Sequence, residues 1–180
     1  MITYVDTKAI ETEQELTKDR ILKFYEYVAL HTPNMDIYAR WVMGKHPTEE
    51  IITRYIENGA MFTYEKEEVL WGAMAVTMKQ SEEYHAIRWK TDLPDDEVAV
   101  VHILAVNPNY QGNGIGMHML EEAIHLAKAS GKKAVRLDAL ATNKPAHALY
   151  YKMGFAYRGK QNLYADNTGW TDFFYFELEC

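Results

Sequence analysis

The chain is short of cysteine, of positive charge and of long apolar runs, and each shortage closes off a class of protein. Its one cysteine, Cys180, is the last residue, which excludes a disulfide framework and a multi-cysteine zinc site. Lys and Arg number 19 against 26 Asp and Glu, a formal net charge of −7. That balance argues against nucleic acid or an acidic membrane surface as the main partner. The best apolar run, Val98 to Val106, is interrupted by His102 and is far too short to span a bilayer. Met1 to Gln14 has no basic start followed by an apolar stretch, so no signal peptide is expected. With the lone cysteine, this points to a cytoplasmic protein without membrane contact. No repeat, low-complexity tract or Pro/Gly/Ser linker divides the 180 residues. They read as a single domain, 1–180, long enough to bury about 70 % of the unfolded surface without a staple. The histidines show no metal-ligand spacing with acids; His118 and His125, seven apart on one helix, cannot chelate one ion, and no metal is expected.

What is present is a mixture of two periods. Ile2 to Val5 is a short β-prone start. Thr17 to Ala29 carries Ile21, Leu22, Tyr25, Val28 and Ala29 on one helical face, and Thr32-Pro33-Asn34 ends it. Asp36 to Met43 reads as a second helix, broken by Gly44 to Pro47. Thr48 caps a third, with Glu49 and Glu50 in its first turn, Ile51, Ile52, Tyr55 and Ile56 as its stripe and Gly59 past its end. The period then shortens. Met61 to Tyr64 and Val69 to Met78 read as strands around the charged turn Glu65 to Glu68. Lys79 to Glu97 is a long loop or a ragged strand plus loop. Glu97 to Val106 and Val135 to Leu140 are strands, Lys144 to Met153 a helix ended by Gly154, and Phe155 to Tyr164 and Phe173 to Leu178 a closing antiparallel pair around Asp166 to Gly169. The order describes an α+β domain.

Chemistry concentrates between Val98 and Ser130, where strand, glycine-rich turn and helix follow one another. Gly112, Gly114 and Gly116 sit at the turn. Glycine permits φ > 0 and leaves no Cβ in the way of a ligand, and the helix start adds unsatisfied N–H groups and the positive end of the dipole. Such a turn suits a phosphate or pyrophosphate; it also serves as a tight connection packed by glycines. The Walker loop fails here, because Gly116 is followed by Met117. The dinucleotide fingerprint fails too, because its sixth position from Gly112 is Met117. Asp138 lies about where a ribose-binding acid would be, but the chain lacks the βαβ alternation that a Rossmann sheet needs, which makes Asp138 a decoy in that reading.

Val106-x-Pro108-x-Tyr110-Gln111-Gly112-Asn113-Gly114-Ile115-Gly116, on the end of a strand, resembles the acyl-CoA signature of the GNAT superfamily of acetyl-CoA-dependent N-acetyltransferases. Asn143-x-x-Ala146-x-x-Leu149-Tyr150-x-x-x-Gly154-Phe155 is similar to that family's second hallmark helix and the strand after it. The resemblance is tight from Val98 to Phe155 and extends by element order over nearly the whole chain. It implies a mixed, mostly antiparallel central sheet flanked by helices and splayed at the acyl-CoA strand.

The resemblance also implies acetyl-CoA as co-substrate. Its pyrophosphate would lie on Gln111, Gly112, Asn113, Gly114, Ile115 and Gly116, and its pantetheine arm along the strand edge of Leu104, Ala105 and Val106. Asn143 would contact the arm besides capping its helix. Tyr150 matches the family's general-acid position, and a backbone N–H near Leu104 or Ala105 its oxyanion donor. For the base, His102 sits where the arylalkylamine branch carries a histidine, Glu97 at the strand start would act through water, and bulk water is the third choice. By the two-residue period, Val100, Leu104 and Val106 share the face of His102. The acceptor side implicates Tyr25, Tyr38, Trp41, Tyr84 to Trp89 and Trp170, aromatics that suit a cationic or aryl amine, while Lys144 or Lys152 is expected near the anion. The expected activity is acetyl transfer to the amine of a small-molecule acceptor in a ternary complex. A protein N-terminus or lysine is the alternative acceptor, and a non-catalytic acyl-CoA-binding domain the alternative of another class. Many relatives are dimers, so a homodimer is entertained.

Overall fold

The computed structural model describes the backbone of residues 2–4 and 11–180 and the side chains from residue 17 onward. Among the described residues, seven strands form one sheet in the order β1-β2-β3-β4-β5-β7-β6. Every neighbouring pair is antiparallel except β4 and β5. β1 is Ile2–Tyr4; Val5, expected to extend it, lies outside the described residues. β2 (Met61–Lys66) and β3 (Val69–Thr77) form a hairpin whose turn residues Glu67 and Glu68 both have positive φ. β4 is Val98–Val106, β5 Ala134–Leu140, β6 Ala156–Ala165 and β7 Gly169–Glu179.

Helices α1 (Glu11–His31) and α2 (Glu49–Glu57) cover one face. Helices α3 (Ile115–Ala129) and α4 (Lys144–Lys152) cover the other. The first face buries Ile21, Phe24, Tyr25 and Ile52 against Ala73 and Ala105. The second buries Met119, Leu120 and Ala123 against Met74, Val101, Val135 and Phe176. Thr48 caps α2 as expected, its Oγ1 accepting from Ile51 N at 3.2 Å. No helix forms at Asp36 to Met43. Asn34 and Arg40 have positive φ, and isolated turns such as Tyr38 N to Asn34 O take up the backbone groups instead; two left-handed residues six apart leave no room for a helix nucleus. Lys79 to Glu97 is a loop with 3₁₀ turns at Glu82–Ala86 and Asp95–Glu97, which seats Tyr84 and Ile87 in the core.

Two irregularities of β4 shape everything that follows. Its pairing with β5 stops after Val98↔Ala134, Ala99↔Val135 and Val100↔Arg136, so from Val101 to Val106 the two strands part and, among the described residues, no strand lies against the β5-facing edge of β4. Its pairing with β3 slips between Ala73↔Ala105 and Ala75↔His102. Ile103 and Leu104 together oppose Met74, a β-bulge, and Ile103 stands at φ 45°, an uncommon conformation for a β-branched residue. The extra residue reverses the strand's alternation. Val100 packs on the α1/α2 face and Ile103 and Ala105 do too, while Leu104 and Val106 pack on the α3/α4 face. The expectation that Leu104 and Val106 share the face of His102 is therefore corrected by the bulge.

Candidate functional site

The parting of β4 from β5 opens a cavity of about 770 Å³ that passes through the sheet. On the α3/α4 side its wall is made by Gln111, Gly112 and Gly116 of the glycine turn and by Asn143, Leu149 and Tyr150. On the α1/α2 side it is made by Tyr38, Trp41, Tyr55, His102, Asp138 and Phe173. The open edge of β4, from Val101 to Val106, runs between the two.

The glycine turn is built by local bonds. Asn107 Oδ1 accepts from Asn109 N (3.0 Å), Asn113 Nδ2 donates to Tyr110 O (2.9 Å) and Gln111 Nε2 donates to Val106 O (3.2 Å). Gly112 and Gly114 have φ of 81° and 77°, and a Cβ at either would meet nothing within 4 Å. These glycines are required by conformation and leave open space before the N-terminus of the 15-residue α3. Leu104, Ala105 and Val106 line the cavity with Gln111, Gly112 and Gly116; Asn113, Gly114 and Ile115 do not. Asn113 braces the turn, Gly114 is the N-cap and Ile115 is buried beneath it. Asn143 caps α4, its Oδ1 accepting from Ala146 N at 3.3 Å, and faces the cavity as well.

Tyr150 is 7 % exposed, wedged edge-on to Phe176 and tilted against Phe155. Its hydroxyl makes no hydrogen bond among the described residues. Burial, with Asp138 adding to it, raises its pKa well above the usual 10, so the phenol keeps its proton at neutral pH. His102 stacks on Tyr55 with ring centroids 5.4 Å apart. Burial, and then Arg54, push its pKa down to about 4. Its tautomer follows from Thr77, whose single hydroxyl proton goes to Lys79 O (3.0 Å), a group that can only accept. The 3.1 Å contact with His102 is then one in which Nε2–H donates to Thr77 Oγ1, leaving the lone pair on Nδ1.

Asp138 leaves β5 on the same face as His102, each two residues past the last paired residues, Arg136 and Val100. Its Oδ1 accepts from Tyr84 Oη at 2.6 Å. Burial raises its pKa, the Tyr84 bond opposes this, and nearby Glu83 adds to it. Sequence reasoning set Asp138 aside with the failed dinucleotide fingerprint and read Tyr55 only as part of an apolar stripe. The missed signal is a lone carboxylate inside an otherwise strand-like run. Glu97 lies elsewhere, at the start of β4 in a 3₁₀ turn, about 17 Å of extended chain from His102, and does not line the cavity.

Tyr38 and Trp41 line the acceptor side, Tyr25 and Tyr84 stand behind it, and Trp170, 72 % exposed, is outside it. Lys144 and Lys152 are not among the lining residues. Nor, among the described residues, do three His, Cys, Asp or Glu side chains converge as metal ligands. No described helix is long and apolar enough to cross a membrane.

A family model described as the acetyltransferase (GNAT) family matches residues 20–155. The chain belongs to that family. It is 31 % identical over 111 residues to the uncharacterized N-acetyltransferase YesJ of Bacillus subtilis, a match covering 60 % of this chain and 59 % of YesJ. It is 38 % identical over 64 residues to the N-alpha-acetyltransferase RimI of Mycobacterium tuberculosis, covering 36 % and 39 %. The chain thus spans less than two thirds of the length of either relative. Among solved structures, yncA of Salmonella typhimurium, determined with acetyl-CoA, superposes with a TM-score of 0.69 at 18 % identity, over 99 % of this chain and 92 % of that one. The GNAT fold accounts for the mixed sheet and for the splay at β4.

Within that fold, Tyr25 is the residue that holds the bulge. It is wholly buried, and its Oη donates to Ile103 O at 2.9 Å, 78 residues away in sequence. Tyr25→Phe keeps the ring and strands that carbonyl. The expected result is a loss of about 1–2 kcal/mol in urea unfolding, with a fall in any turnover that depends on the β4 edge. Unchanged stability would mean that the bulge needs no such lock.

Proposed function

We propose that this GNAT chain transfers the acetyl group of acetyl-CoA to the amine of a small-molecule acceptor, directly, in a ternary complex. The observation that carries the reading is that one cavity joins the glycine turn, the unpaired edge of β4, the free hydroxyl of Tyr150 and the carboxylate of Asp138. The residues present fit the co-substrate. Open space before the Gly112–Gly116 backbone suits a pyrophosphate, and the bare strand edge offers the amides of a pantetheine arm the bonds that β5 does not make. An N–H at Leu104 or Ala105 then stabilises the oxyanion, and Tyr150 Oη donates a proton to the departing sulfur.

Burial acts in opposite directions on the two candidate bases. Burial weakens His102 as a proton acceptor and strengthens Asp138, since it opposes charge on both. Asp138 takes the amine proton, and His102, neutral, orients the amine through Nδ1. A group with a raised pKa must be deprotonated to act, so activity is present above that pKa and lost as pH falls through it. The acid limb of kcat is expected above the ordinary carboxylate range. Asp138→Asn should remove that limb together with most of the rate, whereas a limb displaced by His102→Asn would return the role to His102.

Enclosure supports a small acceptor. Asn167 Nδ2, in the β6–β7 turn, donates to Arg40 O of the α1–α2 connection at 2.7 Å and so bridges the acceptor side. The likeness to RimI favours a second reading, a peptide N-terminus. Thiol release from acetyl-CoA over a panel of amines and N-terminal peptides decides between them. Turnover of small amines is expected; turnover of peptides alone would install the second reading, and thiol release with neither would sink both. The lone, exposed Cys180 supports a cytoplasmic location.

A further inference from the structure

The acceptor side of the cavity carries two opposite charges that the transfer reaction does not by itself require. Among the lining residues, Asp138 is the one carboxylate and Arg54 the one guanidinium or ammonium group. The two differ in setting. Asp138 is held by Tyr84 at the inner end. Arg54 stands in the last turn of α2, exposed at the mouth, its Cζ 6.0 Å from the Tyr55 ring. Arg136, buried, and Arg158, half-buried, are ion-paired, and so is Arg20, whereas the Arg54 guanidinium forms no ion pair or hydrogen bond among the described residues. Its charge is nonetheless felt inside the cavity, at His102 and Tyr55.

We infer that the acceptor carries a carboxylate as well as an amine, and that Arg54 is the specificity residue that binds the carboxylate. The inference rests on the acetyl-transfer reading for the chemistry and on Arg54 alone for the second charge. A simple amine, cationic in solution, gains from Asp138 but is repelled by an unpaired guanidinium at the entrance. An amino-carboxylate satisfies both groups, and the planar fork of an arginine matches a carboxylate with two parallel hydrogen bonds. Tyr55, Trp41 and Phe173 line the same cavity and offer a surface for an apolar or aromatic body. The amine then reaches Asp138 while the carboxylate stays at the mouth, which suits an ω-amino acid, whose two charges sit at opposite ends of the body, in preference to α-amino acids and polyamines.

The test compares three acceptors of one carbon skeleton, the amino acid, its primary amide and the decarboxylated amine, in α- and ω-amino series. Turnover is followed by thiol release at saturating acetyl-CoA. Binding is followed separately by quenching of tryptophan fluorescence in the CoA complex, because Trp41 lines the site. The wild-type protein should prefer the ω-amino acid over its amide by about 10- to 100-fold in kcat/KM, the range for a hydrogen bond between charged groups. Arg54→Gln should bring that ratio close to one, with Arg54→Lys between, and the KM rise should fall on the amino acid. Equal use of all three acceptors by the wild type, or an Arg54→Gln effect that falls on acetyl-CoA, overturns the inference. Arg54-dependent binding of amino acids without thiol release would retain the inference and overturn the transfer reading. Absence of both binding and release overturns the inference too.

Discussion

Tyr150→Phe should lower kcat by about 10²- to 10³-fold, within the range for losing a general acid, while leaving the fold and CoA binding in place. The ring contacts with Phe155 and Phe176 survive the change, and the lost hydroxyl has no partner whose bond would break, so the stability cost is small. The acid is matched to its task in an unusual way. A phenol with a pKa above 10 is a weak donor to a thiolate whose ordinary pKa is near 8.5. But the same burial that raises Tyr150 also penalises a thiolate formed in that cavity, so the two keep step and the hydrogen bond is strengthened by the dry setting. Steady-state kinetics with calorimetric CoA titration would check this. A rate within about threefold of the wild type would give the proton to solvent, and intact CoA binding with no activity in either protein would favour a non-catalytic acyl-CoA-binding domain.

The site was legible in sequence where the chemistry is backbone chemistry. Gly112 and Gly114 must be glycine because the turn needs left-handed φ, and Asn143 must be a cap because α4 starts there; such demands leave a local mark. Asp138 left only a lone carboxylate in a strand-like run, because its role comes from Tyr84, 54 residues away, and from the stop in β4–β5 pairing. The bulge at Ile103 was equally silent. A period of two is read from side chains, and an inserted residue that reverses it looks, in a run such as Val-His-Ile-Leu-Ala-Val, like an unbroken strand. The helix expected at Asp36 to Met43 failed for a related reason. Its apolar residues serve the cavity wall, as Tyr38 and Trp41 show, and a turn-rich segment can present them there without helical hydrogen bonds.

The loop from Lys79 to Glu97, which resisted reading, is held by a network that sequence does not announce, and Glu177→Ala should show its weight. Glu177 is 1 % exposed and Arg136 wholly buried. Glu177 accepts from Arg136 Nε and Nη2 (3.1 and 2.9 Å), from Arg158 Nε (2.8 Å) and from Lys90 N (3.3 Å). Arg136 in turn donates to Gln80 Oε1 and Thr91 O and lies 3.9 Å over the Trp89 ring. Removing the carboxylate leaves a buried guanidinium without its counter-ion, and breaking such a pair costs about 3–5 kcal/mol, a large share of the 5–15 kcal/mol that a domain typically has. At roughly 2–4 °C per kcal/mol for a chain of this size, the melting temperature should drop by about 10 °C. Glu177→Gln, which keeps an acceptor oxygen and the shape, should lose less. The double change Arg136→Met with Glu177→Leu should lose less than Glu177→Ala alone, because it leaves no buried charge behind, although Arg158 then turns to solvent. The network also supplies the position of Tyr84, and through it of Asp138. In the Gln variant, which stays folded, the defect should therefore appear in KM for the acceptor and not in KM for acetyl-CoA. Equal effects on both would make Glu177 a stabilising residue only and detach the loop from the acceptor site.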